Sequence, residues 1–220
     1  MKNKLLRLFL LICAVFIGLI GITKVNAESY NGEIIEGEWI SGVFVRKDYG
    51  STHKYQQGRF IRRSDGAYVY CIQPFVSIIS GANYEVTTSD FAQIAGMTQA
   101  QWNRVSRLAY YGYGYPGHED KKWYTITQVL IWRTVAPDAD IYFTNTLNGT
   151  RNDSLFVSEI NELNNMVNNH GKTPNISLPS ETVIGNTISS VDTNGVLEGF
   201  EIRNVNGGTV TKNGNNIYVT

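Results

Sequence analysis

Two side chains in this sequence could form a covalent bond with each other. Cys71 carries a thiol, and Gln128 carries a side-chain carboxamide. A thiolate that attacks the carboxamide carbon releases ammonia and leaves an acyl–sulfur bond, provided that folding holds the two groups in attack geometry and donors stabilise the oxyanion. The resulting thioester is an activated acyl group, which an amine opens to give a stable amide and a free thiol. This chemistry first requires elements that bring residues 71 and 128 together.

The N-terminus has the pattern of a cleaved secretion signal. Lys2, Lys4 and Arg7 precede an apolar run over residues 8–22, and residues 25–27 place small side chains at the cleavage positions. The apolar run is shorter than the roughly 20 residues of a transmembrane helix. We therefore predict a signal peptide over residues 1–27, a secreted chain and no membrane span in the mature protein.

Export leaves a single cysteine in the chain. Cys13 lies within the predicted leader, so Cys71 has no cysteine partner after cleavage. A lone thiol in a secreted protein stays free, pairs with another molecule or joins an atom other than sulfur. The carboxamide of Gln128 makes the third outcome the preferred interpretation.

The charge balance and the scattered histidines argue against several functional classes. Without residues 1–27 the chain has 15 basic and 19 acidic residues and no basic stripe, which argues against nucleic acid binding. Three scattered histidines and one cysteine provide no zinc-binding spacing, and the glycines fall in turns rather than in a phosphate-binding loop. We predict no metal site and no cofactor.

Gln128 is predicted to lie in a buried helix. The helix starts beside Asp120, runs through Trp123 to Thr134 and stops before Pro137, and it is apolar nearly all round. A carboxamide in such a helix is costly unless its hydrogen bonds are all met or the group is used chemically. On the local pattern alone, a glutamine tied to backbone groups is the commoner explanation.

Cys71 is predicted to lie near the end of a strand. Residues 67–72 form a β-branched and aromatic run that Pro74 closes, and residues 33–45 and 56–61 are predicted to be earlier strands. The strand and the buried helix would therefore have to meet for Cys71 to approach Gln128.

Two further helices are predicted around the buried one. The first begins with a capping box formed by Thr98 and Gln101 and ends in the glycine-rich segment 112–117. The second spans residues 154–168, with Gly171 just beyond its end. The second is interpreted as scaffold.

The composition changes near residues 170–174, which predicts a domain boundary. Alternating residues at 196–202 and 217–219 then predict strands of a β-sandwich. The 47 residues of 174–220 are fewer than the about 100 of a typical immunoglobulin-like sandwich. Residues 173–220 are therefore predicted to be a linker and a partial, apparently truncated, β-sandwich.

Two segments resemble the thioester domains of Gram-positive surface adhesins. They are Tyr70-Cys71-Ile72 and Tyr124-Thr125-Ile126-Thr127-Gln128, the latter followed by Ile131-Trp132. The resemblance covers roughly residues 29–172 and implies an intramolecular thioester between Cys71 and Gln128. It also implies an α+β fold, in which an N-terminal β-rich thioester domain with a helical insertion, residues 28–172, precedes the start of an all-β immunoglobulin-like sandwich.

The same resemblance implies covalent adhesion. The expected partner is a host-surface or extracellular-matrix protein, captured through a lysine amine, and the expected location is the bacterial cell wall or surface. Because each thioester reacts once, the protein is not expected to be an enzyme. The residues expected around the thioester are Tyr70, Tyr113, Tyr115, Tyr124, Thr127 and Trp132.

The chain departs from the family pattern at three positions. Gln73 replaces a frequent acidic residue, and Ile126 and Leu130 stand where alanine is common. None of these changes touches the reacting atoms, so they affect the expected pocket shape more than the expected bond.

Two other functions remain open on the sequence. A cysteine hydrolase or transpeptidase would combine Cys71 with His118 or His170, although His118 lies in a polar turn and is expected to be exposed. A noncovalent adhesin or carbohydrate-binding module would use exposed tyrosines, which make rigid amphipathic contacts. The candidates for that role are Tyr110, Tyr111, Tyr113 and Tyr115.

Overall fold

The computed structural model describes residues 31–85, 96–179, 183, 185–203, 205 and 207–220. The predicted signal peptide, residues 1–27, lies outside the described residues. In the described part, helices combine with two antiparallel sheets, which is consistent with the predicted α+β class. None of these helices is long and apolar enough to cross a membrane.

The first sheet and the three helices belong to the part of the chain before residue 170. In chain order the elements are β1 (Asn31–Tyr49), β2 (Thr52–Arg63), β3 (Ala82–Glu85), α1 (Gln99–Tyr111), α2 (Lys122–Val135), β4 (Asp140–Thr144) and α3 (Val157–Asn168).

Strand β1 organises the first sheet. It pairs antiparallel with β2 along its length, with β3 at its first residues and with β4 at its last ones. Alternate residues of a strand point to the same face, and Val43 and Val45 are both buried. Lys47 continues that alternation and is also buried, which places one lysine at a position that the strand pattern assigns to the core.

Helix α2 forms the centre of the fold. All ten residues from Trp123 to Trp132 are buried, so the prediction of a helix buried nearly all round is confirmed. The helix starts where predicted, because the Asp120 carboxylate accepts a hydrogen bond from the backbone N–H of Lys122 at 2.8 Å. It contacts α1, α3 and strands of the first sheet, which fixes the position of every side chain along it.

The other two helices also follow the sequence pattern. The capping box of α1 is confirmed, since Thr98 Oγ1 accepts from the Gln101 N–H at 3.2 Å and Gln101 Oε1 accepts from the Thr98 N–H at 2.9 Å. Helix α3 begins three residues later than the predicted start at residue 154, because Phe156 has a left-handed backbone with φ of 62°. Its inner face buries Leu163 and Val167.

A second, three-stranded antiparallel sheet follows in residues 188–219. Its strands are β5 (Ile188–Val191), β6 (Val210–Asn213) and β7 (Asn216–Val219), with β7 in the centre. The predicted strand at residues 217–219 is confirmed, and Gly214, with φ of 56°, lies in the turn between β6 and β7.

The predicted strand over residues 196–202 is wrong. The segment contains a short 3-10 helix, Leu197–Gly199, instead. The buried carboxylate of Asp192 accepts hydrogen bonds from the backbone N–H groups of Val196 at 2.6 Å and Leu197 at 2.9 Å. These donors turn toward a side chain, so they are unavailable to a neighbouring strand.

Candidate functional site

One face of helix α2 presents Tyr124, Gln128 and Trp132, which are spaced by four residues. Residues four apart lie above one another on a helix surface. The three side chains are buried, and each contacts a different part of the chain around Cys71.

Tyr124 holds the chain just before Cys71. Its hydroxyl donates to the Val69 carbonyl at 2.5 Å and accepts from the Ile61 N–H at 3.1 Å, and its ring stacks on Tyr70 with centroids 4.9 Å apart. Burial raises the pKa of the Tyr124 and Tyr70 hydroxyls, which therefore stay protonated and neutral. The approach of residues 69–70 to α2 is thus fixed by hydrogen bonding and by ring contact.

Gln128 makes two hydrogen bonds to the backbone of Cys71. Its Oε1 accepts from the Cys71 N–H at 2.8 Å, and its Nε2 donates to the Cys71 carbonyl at 2.7 Å. We call this pair of bonds the amide clasp. The clasp places the carboxamide of one predicted site residue directly against the other residue.

The clasp also explains why the predicted strand over residues 67–72 is wrong. In this segment, only Tyr68 forms an isolated bridge, with Arg62. The Val69 carbonyl and both backbone groups of Cys71 are bonded to side chains of α2 rather than to a strand. Buried backbone groups need partners, and here a helix supplies them.

The carbonyl of Gln128 is already polarised by a donor. An N–H group 2.8 Å from Oε1 stabilises negative charge that develops on this oxygen during attack at the carboxamide carbon. The Cys71 thiol is half-buried, and its Sγ contacts the backbone oxygen of Gln73 at 3.3 Å. The arrangement therefore offers a nucleophile, an electrophile and one oxyanion donor within two residues.

A cleft of about 210 Å³ opens beside Cys71. Its lining includes Glu36, Trp39, Lys47, Lys54, Cys71 and Trp132. Trp132 is the residue one helical turn after Gln128, so the cleft adjoins the amide clasp. A small nucleophile entering this cleft would approach Cys71, against whose backbone the Gln128 carboxamide lies.

Lys47 is the charged residue of this site that the sequence interpretation missed. Its ammonium donates to Gln56 Oε1 at 2.9 Å and lies 4.3 Å from the ring centroid of Trp132. Burial lowers the pKa of Lys47 to about 8; nearby Cys71 opposes this shift, and Lys54 adds to it. The signal was present in the sequence, because position 47 continues the buried alternation of Val43 and Val45.

Thr127 supports the helix rather than the cleft. Its Oγ1 donates to the backbone oxygen of Trp123 at 2.7 Å, and the side chain lies against Gly112 at the end of α1. No side chain other than hydrogen would fit at residue 112 without displacing Thr127. The position of Gln128 therefore depends on this close approach of α1 and α2.

The tyrosines of the glycine-rich segment belong to two separate clusters. Tyr113 packs against Phe60 and Tyr124, with ring centroids 5.2 and 6.1 Å apart, and so extends the aromatic surroundings of residues 69–70. Tyr115 instead contacts Tyr111, 5.2 Å away, and Tyr110, 5.9 Å away. The structure thus brings Tyr113, but not Tyr115, to the side of α2 that holds Cys71.

The expectation that His118 is exposed is wrong. The side chain is 2% exposed, and its ring stacks on Trp123 with centroids 3.6 Å apart. Its Nδ1 contacts the Tyr111 carbonyl at 2.5 Å and its Nε2 contacts Glu162 at 3.4 Å. His170 lies nearby, 3.0 Å from the Tyr111 hydroxyl. Neither histidine lines the cleft at Cys71.

We expect His118→Ala to lower stability without removing the chemistry at Cys71. Loss of a buried ring costs about 3 kcal/mol in the free energy of unfolding, which urea unfolding would measure. The exposed His170→Ala is the control and should change stability little. Loss of Cys71 reactivity toward amines in a His118→Ala protein of unchanged stability would instead favour a hydrolase mechanism.

Of the larger clefts in the described part of the chain, two lie away from Cys71 and lack a comparable set of groups. One, of about 460 Å³, contains Arg151, whose guanidinium is paired with Asp140 at 2.7 Å and Asp153 at 2.6 Å. The other, of about 560 Å³, lies along α1 and α2 and is lined mostly by apolar atoms. Among the described residues, no cluster of acidic, histidine and cysteine side chains could hold a metal ion.

Comparison with known families gives a match to the part of the chain that contains the amide clasp. Residues 68–169 match the family model described as "TED: Thioester domain", and the matched range includes Cys71, Gln128 and all of α1 and α2. No curated protein and no solved structure matches the chain. The matched segment thus agrees with the resemblance to thioester domains that the sequence indicates.

Proposed function

We propose that Cys71 and Gln128 form an intramolecular thioester with which this chain captures other molecules covalently. The observation that carries the proposal is the amide clasp, in which Oε1 and Nε2 of Gln128 lie 2.8 and 2.7 Å from the backbone of Cys71. The match of residues 68–169 to the thioester domain model supports the proposal, because that range contains both residues.

Folding supplies the driving force for a reaction that does not occur between free thiols and amides. Holding two reactants in attack geometry is equivalent to an effective concentration of about 10⁵–10⁸ M. Ammonia leaves and is diluted into solvent, which favours the thioester. The burial of Gln128 limits access of water to the acyl group, which would otherwise be hydrolysed.

The biological role that fits this chemistry is adhesion. We propose that the chain is part of a secreted protein at the surface of a Gram-positive bacterium, with a signal peptide over residues 1–27. Residues 28–172 would form the thioester domain, and residues 173–220 a linker and part of a β-sandwich. The captured partner would be a host-surface or extracellular-matrix protein that presents a lysine amine. Each thioester reacts once, so the role is covalent binding rather than turnover.

Intact mass and thiol labelling of the purified chain test the proposal together. The mass should be lower than the sequence mass by one ammonia, and the peptide containing Cys71 should resist alkylation. Methylamine should then add to the chain and expose the Cys71 thiol. Both readouts are needed, because an amide between a lysine and Gln128 would give the same mass deficit. A chain with its full mass and a freely alkylated Cys71 would overturn the proposal.

A further inference from the structure

Lys47 is placed in a way that ordinary structural roles do not explain. It lies on the buried face of β1, 4% exposed, although lysine is rarely buried without an anionic partner. Its hydrogen-bond acceptor is the neutral amide of Gln56, at 2.9 Å. Burying an ammonium with only a neutral acceptor and an aromatic face is costly, which favours the neutral amine.

Lys47 lines the same cleft as Cys71 and lies against the turn of α2 that follows Gln128. Its Nζ lies 4.3 Å from the ring centroid of Trp132, one helical turn from Gln128. Lys47 and Cys71 both line the cleft of about 210 Å³. A basic nitrogen thus shares a small enclosed space with the sulfur.

We propose that Lys47 is the proton acceptor for the reactions of the Cys71–Gln128 pair, an inference that rests on the proposed thioester. General bases need a nitrogen or oxygen that can be deprotonated near neutral pH and that lies near the proton to be moved. Lys47 meets the geometric condition through the shared cleft. Neither histidine lines this space.

In thioester formation, Lys47 would move one proton between two atoms of the site. The neutral amine takes the proton from Cys71 Sγ as the sulfur attacks Cδ of Gln128. The Sγ–Cδ bond forms and the Cδ–Nε2 bond breaks. The Lys47 ammonium returns its proton to Nε2, which leaves as ammonia, so Lys47 ends neutral and no other reactant is consumed.

In capture, Lys47 Nζ would again move one proton, this time to the Cys71 sulfur rather than from it. A neutral amine attacks Cδ, and the new Cδ–N bond forms while the Cδ–Sγ bond breaks. Lys47 takes the surplus proton from the attacking nitrogen and passes it to Sγ. The products are a secondary amide at Gln128 and a free thiol at Cys71.

Burial, rather than the charges that face it, favours the neutral form of Lys47. Its pKa is lowered to about 8, by burial first and then by Lys54 on the neighbouring strand, whereas Cys71 raises it. Arg59 and Glu36 also line the cleft and are paired with each other at 2.7 Å. Helix α2 contributes only the uncharged Trp132 to the cleft. In the thioester, Cys71 cannot carry a charge, so the pKa of Lys47 should then lie at or below about 8.

Opening of the thioester by hydroxylamine tests the proposal, because this weakly basic nucleophile stays unprotonated through the relevant pH range. The release of the Cys71 thiol would be followed between about pH 7 and 9.5, with a control lacking hydroxylamine. For the unsubstituted chain, the rate should rise with pH and level off above the pKa of Lys47.

Two substitutions of Lys47 distinguish its proposed role in proton transfer from the effects of its charge and of its packing. Lys47→Arg keeps a positive charge but cannot accept a proton near neutral pH, and Lys47→Met keeps a long apolar stem. Both should lose the pH inflection, and the plateau rate should fall by about 10²-fold or more. Unchanged rates and an unchanged pH profile in both variants would overturn the proposal.

Lys54→Met provides a test that leaves Lys47 in place, in case its substitution prevents folding. Removing the cation that lowers the pKa of Lys47 should move the inflection to higher pH. An inflection that stays at the same pH would count against Lys47.

Recovery of a peptide with Lys47 joined to Gln128 would also overturn the proposal, since Lys47 would then be a nucleophile. A parent chain with no ammonia deficit would instead defeat the proposed thioester itself.

Discussion

A chain carrying Gln128→Glu is expected to have the mass of its own sequence and to form no covalent adduct with amines. A carboxylate is a poor acyl donor to a thiol, and it cannot donate a hydrogen bond to the Cys71 carbonyl as Nε2 does at 2.7 Å. The rate of adduct formation should fall by at least about 10³-fold, to below detection. Intact mass before and after methylamine treatment measures both effects.

Matched substitutions make this result specific. Gln73→Glu introduces the same chemical change at an exposed residue two positions from Cys71 and should keep the ammonia deficit. Cys71→Ala should abolish the deficit and the adducts, because the attacking sulfur is absent. Adduct formation that persists in either Gln128→Glu or Cys71→Ala would show that another pair of groups carries the reaction.

Gly112→Ala is expected to destabilise the fold strongly. A Cβ atom at this residue would lie 2.3 Å from Thr127 Oγ1 and 2.7 Å from the Leu108 carbonyl oxygen. Neither contact is tolerable, and the backbone oxygen cannot rotate away. We expect a loss of about 3 kcal/mol in the free energy of unfolding, measured from the urea midpoint.

The same substitution should affect the chemistry, since Thr127 is adjacent to Gln128. Displacing α2 by a few tenths of an ångström would lengthen the amide clasp, and the fraction of molecules lacking one ammonia should decrease. Gly199→Ala is the control, because no atom lies within 4 Å of the added Cβ and stability should change little. An unchanged midpoint for Gly112→Ala would contradict the close approach of α1 and α2.

Local sequence patterns correctly predicted the elements that depend on contacts between residues close together in the chain. The capping box of Thr98 and Gln101 defines the start of α1 within four residues of chain, and the continuous apolar composition of 123–132 predicts burial on every face. The pairing of Cys71 with Gln128 was suggested by the single thiol, the unexpected polar residue and the family resemblance. The structure places these two residues in direct contact.

The errors occur where side chains from distant segments replace ordinary backbone partners. Residues 67–72 have strand composition, but Tyr124 and Gln128 occupy their backbone groups. His118 has a polar sequence context, yet it is covered by Trp123, five residues further along. Sequence periodicity contains no information about such contacts. Lys47 is different, because the alternation of β1 did indicate its burial before any contact was known.

The amide clasp fits the unmodified carboxamide of Gln128 but not the secondary amide that capture of a partner would leave. Both hydrogen bonds of the clasp go to Cys71, so they use Oε1 and the Nε2 hydrogen that is cis to Oε1 across the C–N bond. In a secondary amide the trans form, preferred by about 2.5 kcal/mol, directs the substituent carbon to that side. The carbon of a captured partner would therefore collide with the Cys71 carbonyl. The cross-linked Gln128 side chain must therefore rotate away from the position that it occupies in the clasp. This rotation moves the acyl carbon away from the free Cys71 sulfur, which disfavours release of the partner.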